Sequence, residues 1–109
     1  LQSFVDSESA RWLSSAVIVG REVPIVYFDP ESRKILSGKI DLLVKEGNGY
    51  CIVDYKTDRE LTDSMQKRYA QQMRLYMQAL SESMHPTGGI DLEISSKLLL
   101  IRTGEIINV

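Results

Sequence analysis

The chain has 109 residues, enough for one small domain with a modest hydrophobic core. Its 13 basic and 15 acidic residues give a formal net charge of −2, so it lacks the basic excess typical of proteins that bind nucleic acid or membranes through charge alone. This balance weakens a DNA-binding interpretation without excluding it. The single cysteine, Cys51, lies in an apolar run, which excludes a disulfide framework and favours a structural thiol.

No apolar run reaches membrane-spanning length and no signal peptide is visible, so we expect a soluble protein of the cytoplasm. The sequence begins at Leu1 rather than at a methionine, and it begins with a helical pattern. We therefore expect a single domain over residues 1–109 that is a piece of a longer protein.

The first half of the chain predicts one helix and three strands. The helix runs from Leu1 to about Ala16, where Phe, Val, Trp and Leu recur among polar residues. Residues 21–28, REVPIVYF, predict a strand that Pro24 confines to a sheet edge or to the beginning of the strand. Further strands are predicted at KILSGKIDLLVK, 34–45, and at YCIVDYK, 50–56.

The turn and the second half complete an α+β pattern. EGNG, residues 46–49, predicts a tight hairpin turn in which Asn48-Gly49 is the strongest local signal. Ser64 to Leu80 predicts a helix, and KLLLIR, 97–102, with EIINV, 105–109, predicts a closing hairpin. The order of helix, three strands, helix and strands indicates an α+β fold with an antiparallel or mixed central sheet flanked by helices.

Opposite charges share one face at the end of the third strand. Side chains alternate along a strand, so Asp54 and Lys56 point the same way. A turn centred on residues 47–48 places Asp41 directly opposite Asp54, whereas a turn centred on 48–49 places it opposite Lys56. Both registers bring the three charges to one face, but a three-residue loop would turn Asp41 to the other face.

Two facing carboxylates repel each other unless positive charge lies between them. Lys56 supplies one charge and a divalent cation would supply more; carboxylate oxygens with water suit Mg²⁺ or Mn²⁺. Two aspartates, a lysine and such a cation are the components of phosphodiester hydrolysis. The alternative is an ordinary ion pair on a solvated face. The turn geometry places Asp41 on the same face independently, which favours a functional site over an ordinary ion pair. Gly38, which precedes Asp41, would allow close approach of another group.

The predicted helix at 64–80 carries one apolar face, and Gln72 lies within that face. A half-buried glutamine needs hydrogen-bond partners, which a site or a neighbouring backbone carbonyl would supply equally well. The residues of the apolar face are expected to be core rather than ligand contacts: Met65, Tyr69, Met73, Tyr76 and Leu80.

Four segments together resemble a known family: REVPI (21–25), GKIDLLV (38–44), IVDYKTD (52–58) and YAQQMRLYMQAL (69–80). In this order and spacing they resemble the RecB-like branch of the PD-(D/E)xK nuclease superfamily, over roughly residues 10–109. More narrowly they resemble the nuclease domain at the C-terminal end of UvrD-type helicases, in helicase–nuclease machines that process double-strand breaks. The resemblance implies a restriction-endonuclease-like core.

The resemblance also implies roles for individual residues. Asp41 and Asp54 would bind Mg²⁺ or Mn²⁺, with the backbone carbonyl of Tyr55 as a further ligand, and Lys56 would be the catalytic lysine. The Q-x-x-x-Y motif of the family is matched by Gln72 and Tyr76, on the helix beside the active site.

Two further positions compare less directly with the family. Glu22 matches the glutamate that precedes the x-Pro of the family. Many members add a metal-binding histidine from a helix upstream of the first strand, but the one histidine here, His85, follows the long helix. For His85 we expect a loop or cap role, and we expect the upstream helix to lie outside this chain.

Three functions follow from these observations. The first is a Mg²⁺- or Mn²⁺-dependent deoxyribonuclease of exonuclease type that cuts DNA strands delivered by a helicase domain of the same parent chain; its partner would be a second helicase–nuclease subunit. The second is a catalytically idle domain of the same fold that binds DNA ends or acts as a scaffold. The third, a Cas4-type exonuclease, needs cysteines for an iron–sulfur cluster and is disfavoured by the single cysteine.

Overall fold

The computed structural model describes residues 7–84 and 93–109. In these ranges it has two helices and five strands, in the order α1 (Glu8–Ser15), β1 (Val17–Asp29), β2 (Lys34–Glu46), β3 (Gly49–Lys56), α2 (Asp63–Met84), β4 (Ile94–Leu100) and β5 (Glu105–Asn108). The helix predicted from Leu1 to about Ala16 is confirmed over α1. Its first part, residues 1–6, and the loop or cap role predicted for His85 lie outside the described residues. No helix within these ranges is long and apolar enough to cross a membrane.

The five strands form one mixed sheet in the order β1-β2-β3-β4-β5. Neighbouring strands are antiparallel except for β3 and β4, which are parallel and are connected through α2. The α+β class, the mixed sheet and the closing β4-β5 hairpin are therefore confirmed. Pro24 lies on β1, which is an edge strand and so tolerates a residue without an N–H donor.

Three predicted elements were shorter than the elements in the structure. Strand β1 begins at Val17 rather than at residue 21, because the β-branched residues before Gly20 continue the pairing with β2 across a local register shift. Helix α2 extends beyond Leu80 to Met84, and β4 begins at Ile94 rather than at residue 97. These additions lie at the ends of elements, where sequence patterns are least specific.

Each face of the sheet is covered by one helix. The core on the α2 side is built from eight buried residues: Ile25, Ile40, Leu43, Ile52, Met73, Tyr76, Leu80 and Leu98. The core on the α1 side is smaller, with Trp12 and Leu13 of α1 packed against Leu42, Val44, Cys51, Val53 and Leu99. Because β3 contributes to both cores, it is buried on both faces. Cys51 is fully buried in the α1-side core, as expected for a structural thiol.

The turn between β2 and β3 sets the register of these strands. Glu46 pairs with Gly49, so the two turn residues are Gly47 and Asn48 and not the Asn48-Gly49 pair that carried the strongest local signal. Gly47 has φ +57°, which glycine adopts without strain. Gly49 is required for a different reason, since a Cβ on it would collide with the backbone carbonyl oxygen of Glu93. The register is therefore the one that places Asp41 opposite Asp54.

We expect Gly49→Ala to destabilise the fold more than Gly47→Ala. The Gly49 substitution forces a backbone carbonyl to move and should lower the free energy of unfolding by about 3 kcal/mol or more. The Gly47 substitution meets open space and should cost about 1 kcal/mol for the left-handed conformation. Urea denaturation of both variants and the wild type measures the difference, and equal losses would contradict the close approach of the β2-β3 turn to Glu93.

Candidate active site

Strands β2 and β3 part at the point where the predicted site begins. Their pairing runs from the turn to Leu42 and Val53, but β3 continues to pair with β4 as far as Lys56. The next position in the same register would set Asp41 against Asp54. Instead of a further ladder bond, the carboxylate Oδ2 of Asp41 accepts a hydrogen bond of 2.9 Å from the backbone N–H of Tyr55. The side chain of Asp41 thus bridges the opening between the strands.

The regular alternation of β2 is broken beside Asp41. In an uninterrupted strand Ile40 and Leu42 would face the same side, yet Ile40 packs in the α2-side core and Leu42 in the α1-side core. On β1 the residue across from Asp41 is Glu22, which has a φ of +50°, unusual for a residue with a side chain. Irregularities of this kind occur beside active sites, where they redirect a side chain.

The centre of the site is a buried ion pair. The Lys56 ammonium lies 2.7 Å from Oδ2 of Asp54, and the side chains are only 18% and 12% exposed. Among the described residues the Lys56 ammonium is the partner of Oδ2 of Asp54, which has no further hydrogen-bond donor. An ionised carboxylate can accept several contacts through its two oxygens, so Asp54 can still accept a further donor or a cation.

Burial raises the pKa of Asp54 above its ordinary value of 3.8. The Lys56 ammonium opposes this rise in pKa by favouring the charged carboxylate. The negative charge of Asp41 adds to the rise. Asp41 and Asp54 therefore interact electrostatically, and the ammonium of Lys56 lies against Asp54.

The ammonium of Lys56 has a second neighbour that the sequence did not indicate. It lies 3.9 Å from the centroid of the Tyr69 ring, on α2, in a cation–π contact. The Tyr69 hydroxyl donates a hydrogen bond of 3.4 Å to Oδ2 of Asp58, two residues beyond Lys56. The sequence marked Tyr69 only as part of an apolar helix face. The sequence did contain one relevant signal, because Tyr69 lies three residues before Gln72 on that same face of the helix.

Gln72 and Tyr76 are brought together next to β2. The side-chain amide of Gln72 donates to the Tyr76 hydroxyl at 3.4 Å, rather than to a backbone carbonyl. A Cβ on Gly38 would lie 2.6 Å from the Tyr76 hydroxyl oxygen, so the close approach expected at Gly38 is confirmed. Burial raises the pKa of Tyr76, the neighbouring Tyr27 raises it further, and the charges of Asp54 and Asp41 add smaller increases. The negative charges of the two aspartates therefore act on the Tyr76 hydroxyl.

Glu22 is placed differently from the other predicted residues. Its carboxylate is exposed and forms a 2.9 Å ion pair with Lys39, and the Lys39 hydrogen bond lowers the pKa of Glu22. Among residues 7–84 and 93–109, no three acidic, histidine or cysteine side chains come close enough together to hold a metal. Glu22 therefore does not complete a three-carboxylate set with Asp41 and Asp54.

The fold and this site define a class of protein. A mixed sheet carries two interacting aspartates and a lysine where its second and third strands part, with a glutamine–tyrosine pair on the adjoining helix. The model of the PD-(D/E)XK nuclease superfamily matches residues 2–106. The chain belongs to this superfamily, and the restriction-endonuclease-like core implied by its motifs is confirmed.

Within the superfamily, the chain is similar to helicase/nuclease proteins of bacteria. The chain is similar to an ATP-dependent helicase/nuclease protein of Exiguobacterium sibiricum, with 28% identity over 121 aligned positions that cover 91% of this chain and 10% of the relative. The protein of the same name from Bacillus mycoides is 30% identical over 77% of this chain and 9% of its own length. That of Carboxydothermus hydrogenoformans is 49% identical over 47% of this chain and 5% of its own length. The chain thus spans about a tenth of the length of the first two relatives.

The raised pKa of Asp54 predicts a specific pH dependence of stability. Because the folded state holds this proton more tightly than the unfolded state, the stabilisation from protonation is complete below about pH 3.8 and is lost as pH rises through the folded-state pKa. Asp54→Asn cannot ionise, so its free energy of unfolding should increase relative to wild type over this rise. Urea denaturation in metal-free buffer, from about pH 4 to about pH 8, measures the difference.

Asp63→Asn is the matched control, because it makes the same change at the exposed start of α2. It should alter the free energy of unfolding by less than about 1 kcal/mol through the helix dipole. A difference between Asp54→Asn and wild type that shrinks as pH rises would show that Lys56, and not burial, dominates the environment of Asp54.

Proposed function

We propose that this domain hydrolyses phosphodiester bonds of DNA with the help of a bound divalent cation, Mg²⁺ or Mn²⁺. The observation that carries the proposal is the buried contact of 2.7 Å between the Lys56 ammonium and Oδ2 of Asp54, beside a second carboxylate, Asp41, whose charge raises the pKa of Asp54. The two carboxylates repel each other where β2 and β3 part, and this repulsion lowers the stability of the fold. Function is the most direct reason for that cost.

The residues present fit a divalent cation. PD-(D/E)XK nucleases generally use such ions, and Mg²⁺ usually takes one or two protein carboxylates while keeping several waters. Asp41 and Asp54 would supply the carboxylates, and the Tyr55 carbonyl, which follows Asp54, would be a further ligand. When bound, the cation supplies an activated water and stabilises negative charge on the phosphodiester.

Lys56 is proposed to act on the reacting groups themselves. Its ammonium has three N–H donors and is held at the opening between β2 and β3 by Asp54 on one side and Tyr69 on another. A donor left over from these contacts can hydrogen bond the attacking water or a phosphate oxygen. Because the side chain is largely shielded from water, such a bond is stronger than on the surface. Gln72 and Tyr76 would line the same site from α2, and Glu22 a more distant edge of it.

The substrate is proposed to be a DNA strand supplied by a helicase. The relatives from Exiguobacterium sibiricum and Bacillus mycoides are named ATP-dependent helicase/nuclease subunits and are about ten times as long as this chain. We infer that residues 1–109 form one nuclease domain of such a protein, with a helicase domain in the same chain and a second subunit for a partner, acting in double-strand break repair in the cytoplasm. Delivery by a helicase would explain why the domain has no basic excess.

We expect Asp54→Asn to abolish cleavage of end-labelled single-stranded DNA by the full-length protein that carries this domain. The substitution removes a charged ligand but keeps the size of the side chain. Millimolar Mn²⁺ should also raise the melting temperature of the wild-type 109-residue chain, because an ion that binds only the folded state stabilises it by mass action. The variant should show a much smaller shift by differential scanning fluorimetry.

Asp63→Asn again serves as the control and should match wild type in cleavage and in the Mn²⁺ shift. Wild-type cleavage by the Asp54→Asn variant would contradict the site assignment. DNA binding without cleavage by the wild-type protein would instead favour the catalytically idle function.

We expect Lys56→Ala to slow single-turnover cleavage by about 10²–10³-fold, since losing one preorganised donor at a reacting centre has effects of this size. Affinity for Mn²⁺ and for DNA should change little, because the lysine would act mainly in the transition state. The measurement is a quenched time course on labelled single-stranded DNA across a Mg²⁺ titration. A rate that returns to wild type at saturating metal would show that Lys56 only balances charge.

A further inference from the structure

Side chains from two elements hold the Lys56 ammonium. Asp54 lies 2.7 Å from it and the Tyr69 ring centroid 3.9 Å from it. Tyr69 is held by its place on α2, and its hydroxyl donates a long hydrogen bond to Asp58. Because Asp58 follows β3 closely, the ring is tied to the segment that carries the lysine.

These two contacts of the ammonium differ in what a divalent cation does to them. A carboxylate attracts an ammonium and a divalent cation alike. A divalent cation at Asp54 would therefore weaken the attraction between Asp54 and Lys56, and it would place a second positive charge near the ammonium. An aromatic ring attracts an ammonium through its quadrupole, but it offers no carboxylate-like oxygen on its face to a hard cation. The Tyr69 ring is therefore the neighbour that can retain the ammonium in the metal-loaded site.

We propose that Tyr69 is a positioning residue of the active site, which holds the Lys56 ammonium in place when the Asp54 carboxylate is engaged by metal. This inference rests on the proposed function, because it concerns how the catalytic lysine is held. The hydroxyl of Tyr69 contributes less than the ring, since its bond to Asp58 is long, at 3.4 Å. Tyr69 acts only through Lys56 and does not contact the reacting atoms.

The test is a double-mutant cycle of Tyr69→Leu and Lys56→Ala, measured by single-turnover DNA cleavage in the full-length protein at saturating Mg²⁺. Tyr69→Leu removes the ring while keeping an apolar side chain, and it should slow cleavage about tenfold with little change in DNA affinity. In the Lys56→Ala background the same substitution should have almost no further effect, because the group it positions is gone. Tyr69→Phe keeps the ring and should stay within about threefold of wild type.

Arg68→Ala is the matched control on the same helix. The Arg68 guanidinium lies over the same ring but further from its centroid, at 6.0 Å. Its removal should leave the cleavage rate unchanged if the Lys56 contact is the one that matters. Melting temperatures of all variants show whether a slower rate follows from loss of the fold.

A second readout does not depend on activity. The ε-methylene protons of Lys56 should be shifted upfield by the ring current of Tyr69 in the NMR spectrum of the 109-residue chain, and Tyr69→Leu should abolish this shift. The shift should persist when Mg²⁺ is added. A normal chemical shift in the wild type, or loss of the upfield shift on adding Mg²⁺, would overturn the inference.

The two proposals fail in different ways. Equal rate losses from Tyr69→Leu in the presence and absence of Lys56 would reduce Tyr69 to a structural residue and leave the nuclease proposal intact. Absence of cleavage by the wild-type protein would contradict the proposed function, while the NMR spectrum would still decide whether the ring holds the ammonium.

Discussion

The buried ion pair at the end of β3 imposes a constraint on the rest of the fold. Removing the Asp54 carboxylate from water costs free energy, and the attraction of Lys56 offsets this only in part, because the pKa of Asp54 remains raised. The pair can exist only on a strand that is held firmly. β3 meets this need because it is paired on both edges up to Val53 and its residues Cys51 to Val53 are fully buried.

Strand β3 therefore contributes to the core along most of its length and to the candidate site at its end. The core gives way to the candidate site where β2 stops pairing with β3, after Val53. Up to Leu42, β2 pairs with β3 and its side chains fill both cores. At Asp41 the alternation breaks, and the carboxylate takes over the N–H of Tyr55. If the regular ladder had continued, two carboxylates would face each other directly with no space between them. The parting of the strands would give both aspartates access to the proposed ion without unfolding either strand.

The sequence predicted the parts of this arrangement that follow from alternation and from residue type. It placed Asp54 and Lys56 on one face, it left two registers open for Asp41, and it identified Gly38 as a point of close approach. It could not choose the register, because Gly49 has the local pattern of a turn residue. The actual constraint on Gly49 is the distant Glu93 carbonyl, which only the folded chain brings near.

Contacts that cross between elements without a regular period leave no comparable pattern in the sequence. The ring of Tyr69 has the same helical spacing as its core neighbours, yet its exposure is intermediate and it faces a charge. Similarly, the docking of α1 depends on Ser9, which is buried and donates to the carbonyl of Gly104 in the β4-β5 turn. A buried serine in a short helix has no pattern that distinguishes it from a surface serine before the fold is known.

In the proposed metal site, stability and metal binding would be coupled, because both would depend on the charge of Asp54. Without an ion, the acidic site has two carboxylates and one ammonium at close range, and burial penalises the ionised form of Asp54. A divalent cation would reverse this balance, since it favours ionised carboxylates. Lys56 would then be repelled by the ion bound at its partner Asp54, and the neutral ring of Tyr69 would be the contact that keeps the ammonium at the site. Two carboxylates and one ammonium leave one excess negative charge, which is the charge that the proposed cation would offset.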